Sequence, residues 1–563
     1  MGVIFGGGVL FSGAWLGGTL GAALAGGGWA PPPFSLPSAL HLFTGGPGAL
    51  WPAAPTGAVV GIVGLLLLFV AGSAAGSTWA WQRFSKPSGL AGQRAVAALA
   101  PKSAEARARD LRPSLKLVKE LRPQDRGVLL GDLEPRGPEL RGSDEDVYLA
   151  LMAPRAGKST ALATPTVLQA PGAALLTSNK SDVYAITRQA RARVGTTWCL
   201  DAQSVAHAER ELWWDMLASA RTIEGARRLA MHFVASSTDS TARRDFWMNA
   251  ALNTLTALFH AAALNGGTVG DVLAWLSTPA DRAPINALRA NGMSALADQL
   301  ASTVAGAPET RDGVYETARQ CVACLLDPQI AAWVTPDKHR PQFEPEKFVQ
   351  SRDTLYLLSK DGGGSAAGVI AAAADSVFRA GVQAAERAGG RLDAPLRAVL
   401  DEAANVCRIE DLPDLYSHLG SRGITPLTIL QSYRQGVRVW GEIGMDALWS
   451  ASTVKVLGAG LDDADFVEKV SRLVGEHKVR ETSVSHSSSG RSTSTSRQRE
   501  RIMEAAQIRA MPKGRALLLA TGVPVAMLKL RPWYLEPGAA ELAAAADAEA
   551  KAITERARKA ALT

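Results

Sequence analysis

The stretch LALMAPRAGKST, residues 149–160, ends an apolar run on Gly157-Lys158-Ser159-Thr160. That order suits a phosphate-binding loop. A strand stops, a tight turn aims backbone N–H groups at phosphate oxygens, and the next helix presents its positive N-terminus to the same anion. Gly157 lets the backbone approach closely, the Lys158 ammonium reaches the β- and γ-phosphates, and the Ser159 hydroxyl reaches Mg2+. The candidate cradle is Pro154, Arg155, Ala156, Gly157, Lys158, Ser159 and Thr160. Met152 stands where such a loop usually starts on glycine, which leaves the backbone path of the turn open.

A second stretch, AVLDEAANV, is an apolar strand ending in two carboxylates, Asp401 and Glu402. In an ATPase the first holds the Mg2+ shell and the second polarises the attacking water. An Asp-Glu pair at a helix N-terminus is favoured by the helix dipole alone. Its place directly behind a buried strand, far downstream of Gly-Lys-Ser, argues for the chemical role. Arg397 interrupts that strand and is expected at its solvated start. A third stretch, LTILQS, ends in Gln431, whose amide suits contact with the γ-phosphate or the water. Lys158, Glu402 and Gln431 are therefore candidate catalytic residues, Ser159 and Asp401 candidate metal ligands, and ATP with Mg2+ the expected cofactors. Together the three stretches indicate a RecA-like motor core. Cys321-Val-Ala-Cys324 has the spacing of a metal or redox pair, but no second Cys/His pair lies nearby, so a small apolar pair in a helix is favoured.

Parallel strands must position these groups. DVYLALM (146–152), AALLTSN (173–179) and GTTWCLDAQ read as strands, separated by helical stretches, and this alternation indicates parallel α/β architecture. Residues 206–333 lack clear strands and read as an all-helical insertion. Strand-like segments resume at 353–360, 396–403, 425–432 and 453–460. TSVSHSSSGRSTSTSRQ, residues 482–498, reads as a mobile loop, and GRALLLATGVPVAMLKLRPW as a late hairpin.

The N-terminal part reads differently. Residues 3–27 and 57–81 contain no charged side chain, and each is long enough to cross a hydrocarbon core. The loop between them lacks Lys and Arg, whereas Arg83, Lys86, Arg94 and Lys102 follow soon after. The positive-inside rule then places the loop outside and residue 83 onward in the cytoplasm. The expected fold class is α/β, a RecA-like P-loop ATPase core with an inserted all-α domain, preceded by two transmembrane helices. The expected domains are a membrane domain (1–82), connector and first part of the nucleotide-binding domain (83–205), all-α insertion (206–345), second part of the nucleotide-binding domain (346–536) and an Ala-rich charged tail (537–563). The net charge of +7 over 563 residues permits nucleic acid or an anionic membrane surface as partner and proves neither. Four cysteines do not make a disulfide framework.

With the two N-terminal apolar segments, APRAGKST, LLTSNKSDVY, RDFWMNAALNTLTALFHAAAL, LYLLSKDGGGSAA, VLDEAANV, ITPLTILQSYRQG and MPKGRALLLATGVP, the chain resembles the TraG/TraD type of coupling protein of type IV secretion and conjugation systems. The resemblance implies a homo-hexameric ATPase in the bacterial cytoplasmic membrane, multi-pass, with the bulk of the chain cytoplasmic. It implies that a relaxase joined to single-stranded DNA, or an effector protein, is passed to a type IV secretion channel. It makes the helical insertion a cap for cargo recognition. It gives Lys158 and Ser159 the phosphate and magnesium roles, Asp401 and Glu402 the metal and water roles, and Gln431 the γ-phosphate sensor role. Arg422, in GSRGITP, is the candidate arginine finger toward a neighbouring subunit, and Lys180 and Asp182 match a family segment of less clear role. Alternatives are an FtsK-like pump for double-stranded DNA, against which the helical insertion speaks, and a motor that moves only protein.

Overall fold

The computed structural model describes residues 12, 15–52, 55, 89–237, 246–362, 365–487 and 490–562. The chain forms two compact units, Met1–Lys86 and Pro87–Thr563. In the first, a helical stretch passes into a π-turn at Ala23–Gly27, where Gly26 adopts φ 88° and breaks the helical path. A second helix, Leu36–Gly45, starts on Ser35, whose hydroxyl accepts from the Ser38 N–H at 3.4 Å.

The expected pair of transmembrane helices is corrected here. Among the described residues no helix is long and apolar enough to cross a membrane. The first expected span, 3–27, is broken where described by the π-turn. The second, 57–81, lies outside the described residues. The multi-pass membrane placement rested on these two helices and is not supported.

The second unit is built on one sheet. Its strands are β1 (Val128–Leu133), β2 (Glu139–Gly142), β3 (Tyr148–Leu151), β4 (Ala174–Ser178), β5 (Thr197–Asp201), β8 (Thr354–Leu358), β9 (Leu396–Leu400), β10 (Ile424–Leu430), β11 (Val454–Gly458), β14 (Arg515–Ala520) and β15 (Ala526–Lys529). A short pair, β6 (Trp213–Trp214) with β7 (Gln342–Phe343), and a ribbon, β12 (Glu476–Ser487) with β13 (Gly490–Arg501), stand apart from it. The sheet order is β2-β1-β15-β14-β11-β3-β10-β9-β4-β8-β5. From β11 to β5 neighbouring strands are parallel, and β14, β15, β1 and β2 extend the sheet antiparallel. Every residue of β3, β4, β8, β9 and β10 is buried, as expected for parallel strands covered on both faces. Strand alternation divides the core in two: Leu149 and Leu151 face one apolar cluster, Tyr148 and Ala150 the other.

Arg397 is not at a solvated strand start. It is fully buried, donates to Asp144 Oδ1 at 2.9–3.0 Å, and also donates to the carbonyls of Gln169 and Gln124 at 2.6 and 3.1 Å. A guanidinium with all these acceptors is tolerated inside a sheet, where an unpaired one would not be.

Between β5 and β8 the chain passes through helices Ile223–Ser237, Phe246–Leu264, Val269–Ser277, Ala283–Ala290, Ser294–Ala305 and Pro308–Cys321. Phe246–Leu264 is the central one; it buries Leu252, Leu255, Leu258, Phe259 and Ala262 among its neighbours. Cys321 closes the last helix, Cys324 sits in the following 3-10 turn, both are free, and the described residues hold no cluster of metal-binding side chains.

Of residues 482–498, expected as a mobile loop, 482–487 and 490–498 fall instead within the β12–β13 ribbon, paired residue by residue from Glu476↔Arg501 to Ser487↔Gly490, and 488–489 lie outside the described residues. The Ala-rich tail is a helix, Ala539–Ala560, tied to the helix Asp182–Ala192 by Arg193–Glu541 (2.6 Å) and Arg188–Glu549 (3.3 Å).

Candidate nucleotide-binding site

The register brings the three sequence stretches together. β10 lies between β3 and β9, so the turn after β3, the carboxylates after β9 and Gln431 after β10 emerge side by side at the same edge of the sheet. In open α/β sheets ligands bind at this carboxyl edge. Met152 is no part of the turn. It is fully buried directly after β3, its N–H donates to the Leu430 carbonyl at 3.1 Å, and Gly458 leaves room for its side chain: a Cβ there would stand 2.5 Å from Met152 Cγ. The loop proper runs from Ala153. Arg155 at its crest has φ 63° and Gly157 has φ 100°, a region glycine enters without cost. The chain then enters a π-turn, Ser159–Ala163, and a helix, Thr164–Leu168.

Glu402 has φ 55° and ψ 39°, a left-handed conformation uncommon for a residue with a side chain. Such strain is kept where surrounding contacts over-determine it. The Lys158 ammonium donates to Glu402 Oε1, and the Gln431 amide donates to Oε1 and Oε2 at 3.1 and 2.9 Å. Ser159 Oγ donates to Asp401 Oδ2 at 3.3 Å, and Thr177 at the end of β4 holds the Asp401 carbonyl at 3.2 Å. Asp401 Oδ1 is buried without a hydrogen-bond partner. Burial, with Glu402 and Asp182 adding like charge, pushes the Asp401 carboxyl up to about 6. A buried carboxylate with an orphaned oxygen, beside a serine hydroxyl, fits a divalent cation held by oxygen ligands.

These groups open on a cleft of ≈ 710 Å³ lined by the whole turn Pro154–Ala161, by Lys180, Asp182, Glu402 and Gln431, and on its far side by Lys513, Gly514, Leu530, Pro532 and Tyr534. The last five were missed by sequence reasoning, because they flank the late hairpin, Lys513 and Gly514 before β14 and Leu530, Pro532 and Tyr534 after β15. Also missed was a relay behind Gln431. Gln435 Oε1 accepts from the Gln431 N–H at 2.8 Å, Gln435 Nε2 donates to Asn405 Oδ1 at 3.0 Å, and the Asn405 amide reaches Glu402 and Asp361, each at 3.4 Å. The signal was available: Gln435 follows Gln431 by one helical turn in QSYRQ, and Ser432 caps the helix that carries it.

Arg422 is not brought to this cluster. It precedes β10, whereas Gln431 follows it, so seven residues of strand separate them, roughly 20 Å. Its guanidinium lies 3.5 Å from Glu386.

The family model described as the TraM recognition site of TraD and TraG matches residues 395–513, which include β9, β10 and β11. A comparison with curated proteins finds no match. Among solved structures, the unbound bacterial conjugative coupling protein TrwBdeltaN70 shares the fold at TM-score 0.55 and 18% identity, over 75% of this chain and 91% of that one. TrwB in complex with ADP and Mg2+ gives 0.53 at 18% identity, over 75% and 92%. TrwB with the GTP analogue GDPNP gives 0.54 at 18%, again over 75% and 92%. The family match over 395–513 and the fold shared with TrwB make this chain similar to coupling proteins of the TraG/TraD type.

Proposed function

We propose that the chain is a magnesium-dependent ATPase whose hydrolysis cycle drives cargo transfer in conjugation. The observation that carries this reading is the convergence of Lys158, Ser159, Glu402 and Gln431 on one cleft, with Asp401 bonded to Ser159 and its Oδ1 buried and unpartnered. The turn 154–160 holds the phosphates. Lys158 exchanges its contact with Glu402 for phosphate oxygens. Ser159 and Asp401 hold Mg2+, which when bound neutralises charge on the β- and γ-phosphates. Glu402, released from Lys158 and still held by Gln431, orients the attacking water and accepts its proton as the bond to the leaving phosphate breaks. Gln431 spans Glu402 and the γ-phosphate, so its strand end registers whether that phosphate is present. Pro532 and Tyr534 offer the base an apolar and aromatic wall.

The structures of TrwB with ADP and Mg2+ and with ATP and GTP analogues support the nucleotide part of this reading. The TraG/TraD likeness supports the coupling part: a relaxase–single-stranded DNA complex or an effector protein is received at the helical insertion and passed to a secretion channel. A ring of subunits, a homo-hexamer, would bring Arg422 of one copy toward the site of the next; within a single copy it lies at the wrong end of β10. Calorimetric titration of ATP with and without Mg2+ tests the site. Binding that strengthens with Mg2+ in the wild type, and loses that strengthening in Asp401→Ala, is expected. Magnesium-independent binding unaffected by Asp401→Ala would remove the proposal.

A further inference from the structure

Asn405 stands between two carboxylates. It lies one helical turn past Glu402, with its N–H bonded to the Glu402 carbonyl at 2.8 Å. Its Nδ2 donates to Glu402 Oε2 and to Asp361 Oδ2, each at 3.4 Å, and its Oδ1 accepts from Gln435 Nε2 at 3.0 Å. Ionised carboxylates only accept, so the NH2 end of the amide must face them and its carbonyl must face Gln435. Both Nδ2 bonds exceed the usual N–H···O range, which ends at about 3.2 Å. Two long, equal bonds describe an amide divided between two acceptors.

The two carboxylates differ in their surroundings. Glu402 is 3% exposed, and Lys158 and Gln431 also bond to it. Asp361 is exposed; it lies three residues past the end of β8 and reaches the site across β4. Asn179, directly after β4, donates to the same Oδ2 at 2.7 Å. Gln203 fixes the backbone on either side of Asp361: its Oε1 accepts from Ser359 Oγ, the Lys360 N–H and the Ala366 N–H at 2.8, 3.0 and 3.1 Å. An exposed carboxylate is solvated by water and needs none of these anchors for its own sake. What the anchors do is hold Asp361 opposite Asn405.

We propose that Asn405 is a positioning residue for Glu402 and that Asp361 acts through it as a brake on hydrolysis. This rests on the reading of Glu402 as the group that orients the attacking water. While Lys158 pairs with Glu402, a cation compensates that carboxylate and the Asn405 amide is shared. Once phosphate takes the ammonium, the contacts left to Glu402 are two neutral amides, Gln431 and Asn405. A buried carboxylate cannot draw on water to make up the loss, whereas Asp361 can. The Asn405 amide therefore closes on Glu402 and leaves Asp361. Glu402 is then held from two sides, by Gln431 past the end of β10 and by Asn405 on its own helix. Asp361 opposes this step, because it gives up a donor when the amide moves.

The test is turnover of saturating ATP with Mg2+ by the full chain, by Asn405→Ala, by Asp361→Ala and by the double variant. Asn405→Ala is expected to lower kcat about 10- to 100-fold, the worth of a hydrogen bond to a charged group. Asp361→Ala is expected to raise kcat by about two- to fivefold, the scale of an exposed ionic contact. Because Asp361 acts through Asn405, the gain is expected to vanish in the double variant, which should match Asn405→Ala. A merely structural network would give a loss in both single variants and no dependence of one on the other. Asp361 is exposed, so its variant reads the brake even where Asn405→Ala disturbs the short helix. Unchanged turnover in Asn405→Ala, unchanged or lowered turnover in Asp361→Ala, or a gain that persists in the double variant overturns the proposal, while Glu402→Gln still lowers turnover and the site reading stands. If Glu402→Gln leaves turnover intact, the site reading itself falls, and the role of Asn405 with it.

Discussion

Glu402→Gln is expected to separate binding from hydrolysis, and in an unusual direction. In the protein as folded, Lys158 and Glu402 pair inside the cleft with side-chain exposures of 9% and 3%. Nucleotide phosphate can engage the ammonium only by displacing that carboxylate. A hydrogen bond to a charged group contributes about 1.5–3 kcal/mol net. The neutral amide gives up most of that, so ATP no longer has to displace it, and about 1.4 kcal/mol corresponds to tenfold in affinity. Nucleotide is therefore expected to bind about 10- to 100-fold more tightly to Glu402→Gln. The variant free of nucleotide is left with a poorly compensated Lys158, and its melting temperature is expected to fall and to be recovered by ATP. Hydrolysis is expected to drop by about 10²–10⁴, the usual contribution of a positioned general base. Titration calorimetry and a single-turnover phosphate-release assay read the two effects. Weaker binding together with lost hydrolysis would refute the competition between phosphate and Glu402; undiminished turnover would refute its role toward water.

The pH dependence of the site follows from Asp401. Raised by burial to about 6, it must shed its proton to hold Mg2+, so magnesium-dependent ATP binding should weaken as pH falls through about 6. The sign for stability is opposite: a carboxyl raised above its unfolded value costs metal-free stability as pH rises from about 4 to 6, up to about 3 kcal/mol, visible as a falling melting temperature that Asp401→Asn removes. Asp144→Ala leaves the Arg397 guanidinium unpaired in the sheet, and chemical denaturation should show a loss of about 3–5 kcal/mol. Arg422→Ala should bind nucleotide normally and hydrolyse it poorly, with part of the activity regained on mixing with Lys158→Ala; no recovery in a demonstrated mixed assembly would remove the trans role.

The parallel core was legible because its strands are buried on both faces and read as continuous apolar runs, and because the site residues sit directly at strand ends. Asp401 with Glu402 and Gln431 stand just past the last residues of β9 and β10, and Lys158 closes the turn that follows β3. Arg397 was misplaced because its compensation, Asp144, lies 253 residues away; local pattern cannot show a long-range acceptor. The ribbon was misread because its alternation is in charge, Lys-x-Arg and Arg-x-Arg, rather than in hydrophobicity. A run rich in Ser and Thr was weighed for its polarity, although Thr is also a good strand former. Met152 looks like a defect in the turn only if the turn starts there; it is buried directly after β3, its N–H still bonded to Leu430, and the turn begins at Ala153. The far wall of the cleft, Lys513 to Tyr534, is brought in only by the antiparallel extension of the sheet through β14 and β15.

The most direct measurement is steady-state ATP hydrolysis with Mg2+ by the full chain and by Lys158→Ala. The account predicts turnover in the wild type that vanishes in the variant, since this ammonium is the one that meets the transferring phosphate. Equal turnover in the two proteins would contradict it.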